Sequence, residues 1–181
     1  MNALHSDIKR ACLTLERYKI ETHANIEISS VNRDDGTIFI KSRGENDIHD
    51  VSACSDSARL HAELYLRFSD VRSILFVNSE WIKIASGAGW TLDRKAYGYI
   101  PSFCDTVPCT ARIRTHVDSG DYPTAFCDAV SDVITKEKLP RAVLVRGLGA
   151  LVFADTPMDA AEYAITLEYA AKKAFLIRKF R

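Results

Sequence analysis

The chain has 181 residues, nearly half of them hydrophobic, enough for one domain with a sizeable core that needs no disulfide or metal staple. Its 24 Lys plus Arg balance 24 Asp plus Glu, which argues against nucleic acid or an anionic membrane surface as partner, since both favour a basic face. No run approaches the ~20 apolar residues of a membrane-spanning helix, and charges interrupt the first twenty residues where a secretion signal would be continuously apolar.

In chain order, Leu4, Ile8, Ala11, Cys12 and Leu15 recur at helical spacing and predict an amphipathic helix over 3–18. Asn25 to Ser30 and Thr37 to Ser42 alternate like strands. Between them, Asn32 to Gly36 carries the Asp-Gly signal of a hairpin turn. A second helix is expected over 56–69, with Leu60, Leu64 and Phe68 on one stripe, and Val71 to Val77 reads as a buried strand. Ser79 is placed to cap a short helix carrying Trp81, Ile82 and Ile84 that stops near Gly87 and Gly89. Residues 90–107 read as irregular. Val107 to Ile113 reads as a strand that starts at Pro108 or lies at an edge. Pro123 opens a helix to about Lys136; Ala142 to Val145 and Ala150 to Phe153 form short strands around Gly147-Leu148-Gly149. Thr156-Pro157 starts a final helix to about Lys179, with an N-cap hydroxyl and proline at the first helical position. The expected architecture is a single α/β domain, an antiparallel or mixed sheet with helices packed on it.

Cys12, Cys54, Cys104, Cys109 and Cys127 are odd in number and widely spaced, so they read as reduced, small, mostly buried side chains of a cytoplasmic protein.

Several segments resemble the class II aldolase/adducin family, which includes fuculose-phosphate aldolase, ribulose-phosphate 4-epimerase and the adducin head domain. HAELYLRFSDV, from His61 to Val71, is similar to the family's helix H-x-x-x-Y-x-x-x-P-D-V. RAVLVRGLGALVF, from Arg141 to Phe153, is similar to its strand–turn–strand bearing N-H-G, and AAEYAITLE, from Ala160 to Glu168, to the start of its last helix. The likeness runs from about residue 5 to 175 and is weakest over 86–122. It implies a central, mostly antiparallel sheet with helices on its faces. It also implies a homo-oligomer, since relatives commonly form cyclic tetramers.

Family aldolases hold one zinc through three histidines, two from H-x-H on a strand and one from N-H-G. Imidazole nitrogens at about 2.0–2.1 Å leave the metal open to substrate oxygens, and the metal stabilises an enediolate as a Lewis acid. Laid on this sequence, the three positions are Phe76, Asn78 and Leu148, and residues 72–86 and 117–181 hold no histidine. Phe and Leu offer no donor atom, and the Asn amide suits a hard cation better than zinc. No metal or other cofactor is expected.

The family's catalytic carboxylate falls at Ser57 without an insertion, or at Asp56 with one. A single-residue shift turns a helical side chain by about 100°, so the two alternatives differ, and Ser57 is the preferred one. The resemblance places phosphate contacts at Asn25, Arg43, Gly44 and Ser55. Arg43 would strengthen anion binding, Asp56 would repel it, and a pair between these two would fill the old phosphate pocket. His23 is the remaining acid/base candidate, against a plain exposed loop histidine.

His61 reads as a packed, hydrogen-bonded histidine rather than a ligand, and Cys54 as a nucleophile only if some partner lowers its pKa. Gly147-Leu148-Gly149 joins strands and is a turn, not a phosphate loop. The basic residues from Lys172 to Arg181 complement the last helix's dipole. Trp81, Trp90, Tyr97 and Tyr99 fit a core or a subunit interface equally well. The expected function is that of a non-catalytic family member, an oligomeric scaffold or a domain for a small anionic metabolite or protein partner. The alternative is a sugar-phosphate lyase or epimerase, or a diverged enzyme of the same fold.

Overall fold

The computed structural model describes residues 3–20, 26–41, 48–50, 56–93, 106–134 and 139–180. Among these, five helices surround a six-stranded sheet: α1 (Ala3–Arg17), β1 (Glu27–Val31), β2 (Ile38–Lys41), β3 (His49–Asp50), α2 (Asp56–Arg67), β4 (Ser73–Val77), α3 (Glu80–Ala88), β5 (Leu92–Asp93), β6 (Thr106–Val107), α4 (Tyr122–Ser131), β7 (Ala142–Val145), β8 (Gly149–Ala154) and α5 (Pro157–Lys179). The sheet order is β3-β2-β1-β4-β8-β7, and every pair is antiparallel. The class is the expected one, α/β with a mainly antiparallel sheet.

Both faces of the sheet are covered. Ile28, Leu75, Val77, Leu144 and Val152 pack with α1, α3 and α5 in one core. The alternate residues Val31, Ile74, Val143, Leu151 and Phe153 pack with α2 and α4 in the other. Two-sided burial explains why β7 and β8 read as unbroken apolar runs despite being antiparallel.

Local chemistry sets several boundaries as expected. Gly36 takes φ +75° in the β1–β2 turn, where Asp35 Oδ1 accepts from Thr37 N at 2.8 Å. Gly89 caps α3 at φ +68°, as its lack of a Cβ allows. At α5, Thr156 Oγ1 accepts from Asp159 N at 3.1 Å with Pro157 following.

Other expectations are corrected. The strand expected over 107–113 reduces to β6, paired with β5 in a two-stranded sheet inside the stretch expected to be irregular. Beyond it, Cys109 makes an isolated parallel bridge to Leu144. Pro108 lacks the N–H that would extend the ladder, so its carbonyl only accepts from Leu144 N at 2.8 Å. β3, two residues on the sheet edge, is too short to carry a period. α4 ends at Ser131 rather than near Lys136. Ser79 is the N-cap residue of α3 but makes no side-chain cap bond; its hydroxyl donates to Glu168 Oε2 at 2.5 Å, and that carboxylate from α5 takes over the capping. No helix among the described residues is long and apolar enough to cross a membrane.

Candidate functional site

Antiparallel pairing brings the C-terminal end of β4, the N-terminal end of β1 and the β7–β8 turn to one end of the sheet. The first turns of α2 and α4 reach the same place on the α2/α4 face. A cavity of about 290 Å³ opens there, lined by Glu27, Ser57, Arg59, Leu60, Phe76, Asn78, Tyr122, Phe126 and Leu148 with the 117–119 loop. The structure thus gathers Ser57, Phe76, Asn78 and Leu148, though 91 residues separate Ser57 from Leu148 in the sequence.

Each of these positions has a local cause. Phe76 lies directly opposite Glu27 in the β1–β4 register, so both side chains leave the same face. Its ring meets Phe126 edge-on, with centroids 6.3 Å apart, an arrangement aromatic pairs favour. Asn78 follows the end of β4, and its Oδ1 is buried without a hydrogen-bond partner among the described residues. Leu148 sits at a turn closed by Leu148 N donating to Val145 O at 2.9 Å. Its neighbour Gly149, at φ +143°, lies so near β4 that an added Cβ would meet the Val77 carbonyl and come within 3.2 Å of Asn78 Cα. That close approach seats Leu148 beside Asn78.

Glu27 is a site residue that the sequence reading missed, as are Arg59, Tyr122 and Phe126. Glu27 Oε1 accepts from Ser57 Oγ at 2.9 Å, and its Oε2 lies 3.8 Å from His61 Nε2. His61 is fully buried, with Nδ1 2.6 Å from Ser29 Oγ, and Ser29 Oγ is 2.9 Å from the Tyr65 hydroxyl. Burial pushes the Tyr65 phenol well above its ordinary pKa. Burial, and then the negative charge of Glu27, raise that of Tyr122. The available signal was parity. Glu27 and Ser29 alternate with Ile26 and Ile28, which reads as a solvent face when one sheet face is assumed to be open.

Of the remaining expected positions, Asn25, Arg43, Gly44, Ser55, His23 and Cys54 lie outside the described residues, as does the side chain of Asp56. The Arg43–Asp56 pair falls with them. Trp81 packs on Phe175 at 5.2 Å, and Arg178 lies over the Trp90 ring at 4.2 Å; Tyr97 and Tyr99 lie outside the described residues. Cys12 and Cys127 are buried, and burial pushes the Cys127 thiol up to about 12.

This three-layer sheet, with its cavity at the end of β4, defines an aldolase-type α/β domain. The chain belongs to the Class II Aldolase and Adducin N-terminal domain family, which its residues 26–175 match. Among solved structures, an L-fuculose 1-phosphate aldolase superposes with a TM-score of 0.76 at 18% identity, over 97% of this chain and 85% of that one. The L-fuculose-1-phosphate aldolase of Thermus thermophilus gives 0.73 at 17%, over 98% and 95%. That of Glaciozyma antarctica gives 0.69 at 12%, over 98% and 75%. At these identities the likeness is one of fold.

Phe76, Asn78 and Leu148, the positions at which the resemblance sets the zinc ligands of family aldolases, line the cavity together. Among the described residues no three His, Cys, Asp or Glu side chains are grouped to hold a metal ion.

Proposed function

We propose that this protein is a class II aldolase-type domain that has left zinc-dependent aldol chemistry. It serves in the cytoplasm as a non-catalytic, self-associating domain that binds a small metabolite or a protein partner. The observation that carries the reading is the chemistry of Phe76, Asn78 and Leu148. Zinc needs lone pairs converging at about 2.0–2.2 Å. A benzyl ring locked against Phe126 and an isobutyl group supply none, and a single amide oxygen is a poor ligand for a borderline-soft ion.

A diverged enzyme of the same fold is the second reading, and Glu27 is the observation in its favour. A carboxylate that lines a cavity and bonds Ser57 is placed to take a proton from a bound molecule.

The test is elemental analysis of protein purified without added metal, together with an aldol-cleavage assay on ketose 1-phosphates and light scattering for mass. The expected result is far less than one zinc per chain, no turnover, and a mass above that of one chain. Stoichiometric zinc with cleavage refutes the reading.

A further inference from the structure

The neutrality of the chain is an average, and the second half of α5 departs from it. From Tyr169 to Phe180 the sequence carries Lys172, Lys173, Arg178 and Lys179 and no acid. All four cations are exposed. The helix dipole accounts for Arg178 and Lys179 in the last turn, but its field falls off within that turn. Lys172 and Lys173 lie about two turns earlier, beyond its reach.

Apolar side chains protrude among these charges. Tyr169, Leu176 and Phe180 are 60%, 40% and 79% exposed. Tyr169 and Leu176 share one stripe of the helix with Lys173, and Phe180 continues it past the helix end. On the flank towards α3, Lys172 lies over the Trp81 ring at 5.6 Å and Arg178 over Trp90 at 4.2 Å, both indoles being half-buried. Of the acids of α5, Glu168 is turned into the first turn of α3, and Asp159 and Glu162 lie about two turns or more before Tyr169. On α3, exposed Glu80 and Lys83 offset one another.

The chemistry of this face selects its occupant. Two copies meeting through it about a two-fold axis would set like charges against like. Three of the four cations are lysines, and protein interfaces are depleted in Lys where they are enriched in Arg. An anionic bilayer attracts each Lys or Arg near its surface, most of all where four or more cluster on one helix. Leu and Phe side chains insert at its headgroup boundary, and Trp and Tyr favour that depth.

We propose that the outer face of α5 from Tyr169 to Phe180 docks on an anionic phospholipid bilayer without crossing it. Lys172, Lys173, Arg178 and Lys179 lie against the headgroups, and Leu176 and Phe180 dip between them. α5 packs on the opposite sheet face from the cavity, so the contact is independent of what the cavity holds.

Sedimentation of the full chain with phosphatidylcholine vesicles, with and without phosphatidylserine, tests it. Binding is expected to the phosphatidylserine vesicles alone, and to weaken as salt rises. Trp81 and Trp90 are the chain's two tryptophans, so their emission should shift to the blue on binding. Lys173→Glu and Lys179→Glu should each weaken binding roughly tenfold or more, since each removes a cation and adds an anion. Leu176→Ser with Phe180→Ser should weaken it while leaving its salt dependence in place. Arg114→Glu makes the same change of net charge across the sheet, beside Ile113 of the α2/α4 core, and should leave binding as it is. All these side chains are exposed, so the fold survives the changes.

Failure to bind phosphatidylserine vesicles, equal binding to phosphatidylcholine alone, or equal weakening by Arg114→Glu overturns the proposal. So does a lower mass by light scattering for Leu176→Ser with Phe180→Ser, which assigns the face to a second copy. Binding of polyglutamate in preference to the vesicles assigns it to an acidic protein and overturns the proposal as well.

Discussion

Replacing Glu168 with Ala should destabilise the protein by about 2–4 kcal/mol, chiefly by uncapping α3. The Glu168 carboxylate accepts from Ser79 Oγ at 2.5 Å, Trp81 N at 3.2 Å and Ile82 N at 3.0 Å. It therefore satisfies orphan donors of the first turn of α3 from a helix 89 residues away in the chain. A hydrogen bond to a charged group contributes about 1.5–3 kcal/mol. A carboxylate at a partly buried helix N-terminus adds up to about 2 kcal/mol through the helix dipole. The three bonds share two oxygens, so they do not sum. Water reaching the vacated space recovers part of the loss, which brings the net to the stated range.

Glu168→Gln keeps an oxygen and loses the charge, so it should cost about half as much. Equilibrium urea unfolding reads both, with an unchanged slope and a lower midpoint. For a chain of this length each kcal/mol is about 2–4 °C in Tm, so Glu168→Ala should melt about 4–16 °C lower. Because Ser79 follows Asn78 directly, the same variant should also blunt ligand binding in the cavity. A Glu168→Ala protein within about 0.5 kcal/mol of the parent, the level of an ordinary surface change, would refute the capping argument.

Gly149→Ala should cost about 3 kcal/mol or more, because φ is +143° and the new Cβ meets the Val77 carbonyl. Gly36→Ala, at φ +75° with nothing within 4 Å, should cost only about 1–2 kcal/mol of backbone strain; equal urea midpoints would remove the steric account of the β4–β8 approach. Cys127, raised from 9.0 to about 12 by burial, contributes stability that is present in full below its unfolded value and lost as pH rises through that window. Cys127→Ala should therefore show a shallower loss of stability over the same window than the parent, whatever its offset at neutral pH. Parallel unfolding curves against pH would count against the buried thiol.

What neighbours in the chain decide was legible in the sequence. Thr156 and Pro157 announce the start of α5 because an N-cap hydroxyl and a fixed φ act within one turn. Asp35 and Gly36 announce the β1–β2 turn because one side chain bonds its own backbone and the next residue tolerates positive φ. The apolar runs of β7 and β8 announce strands that no water reaches. The family resemblance extended this reading to Phe76, Asn78 and Leu148, which the structure brings together at one cavity.

Tertiary structure decided the rest. Ser79 has the form of a cap, but its hydroxyl donates to Glu168, whose carboxylate accepts from the Trp81 and Ile82 N–H groups. The segment after Val107 has strand-like residues, yet Pro108 and a lone bridge to β7 leave it without a ladder. Glu27 joins the site only because β1 pairs with β4 in one register and α2 covers the face it points to. Those placements depend on many weak contacts between residues far apart in the chain, whereas a cap or a turn is fixed by two or three that are adjacent. That difference in range is why caps, turns and buried runs could be read from the sequence alone, and why the place of Glu27 in the cavity emerged only once the sheet was assembled.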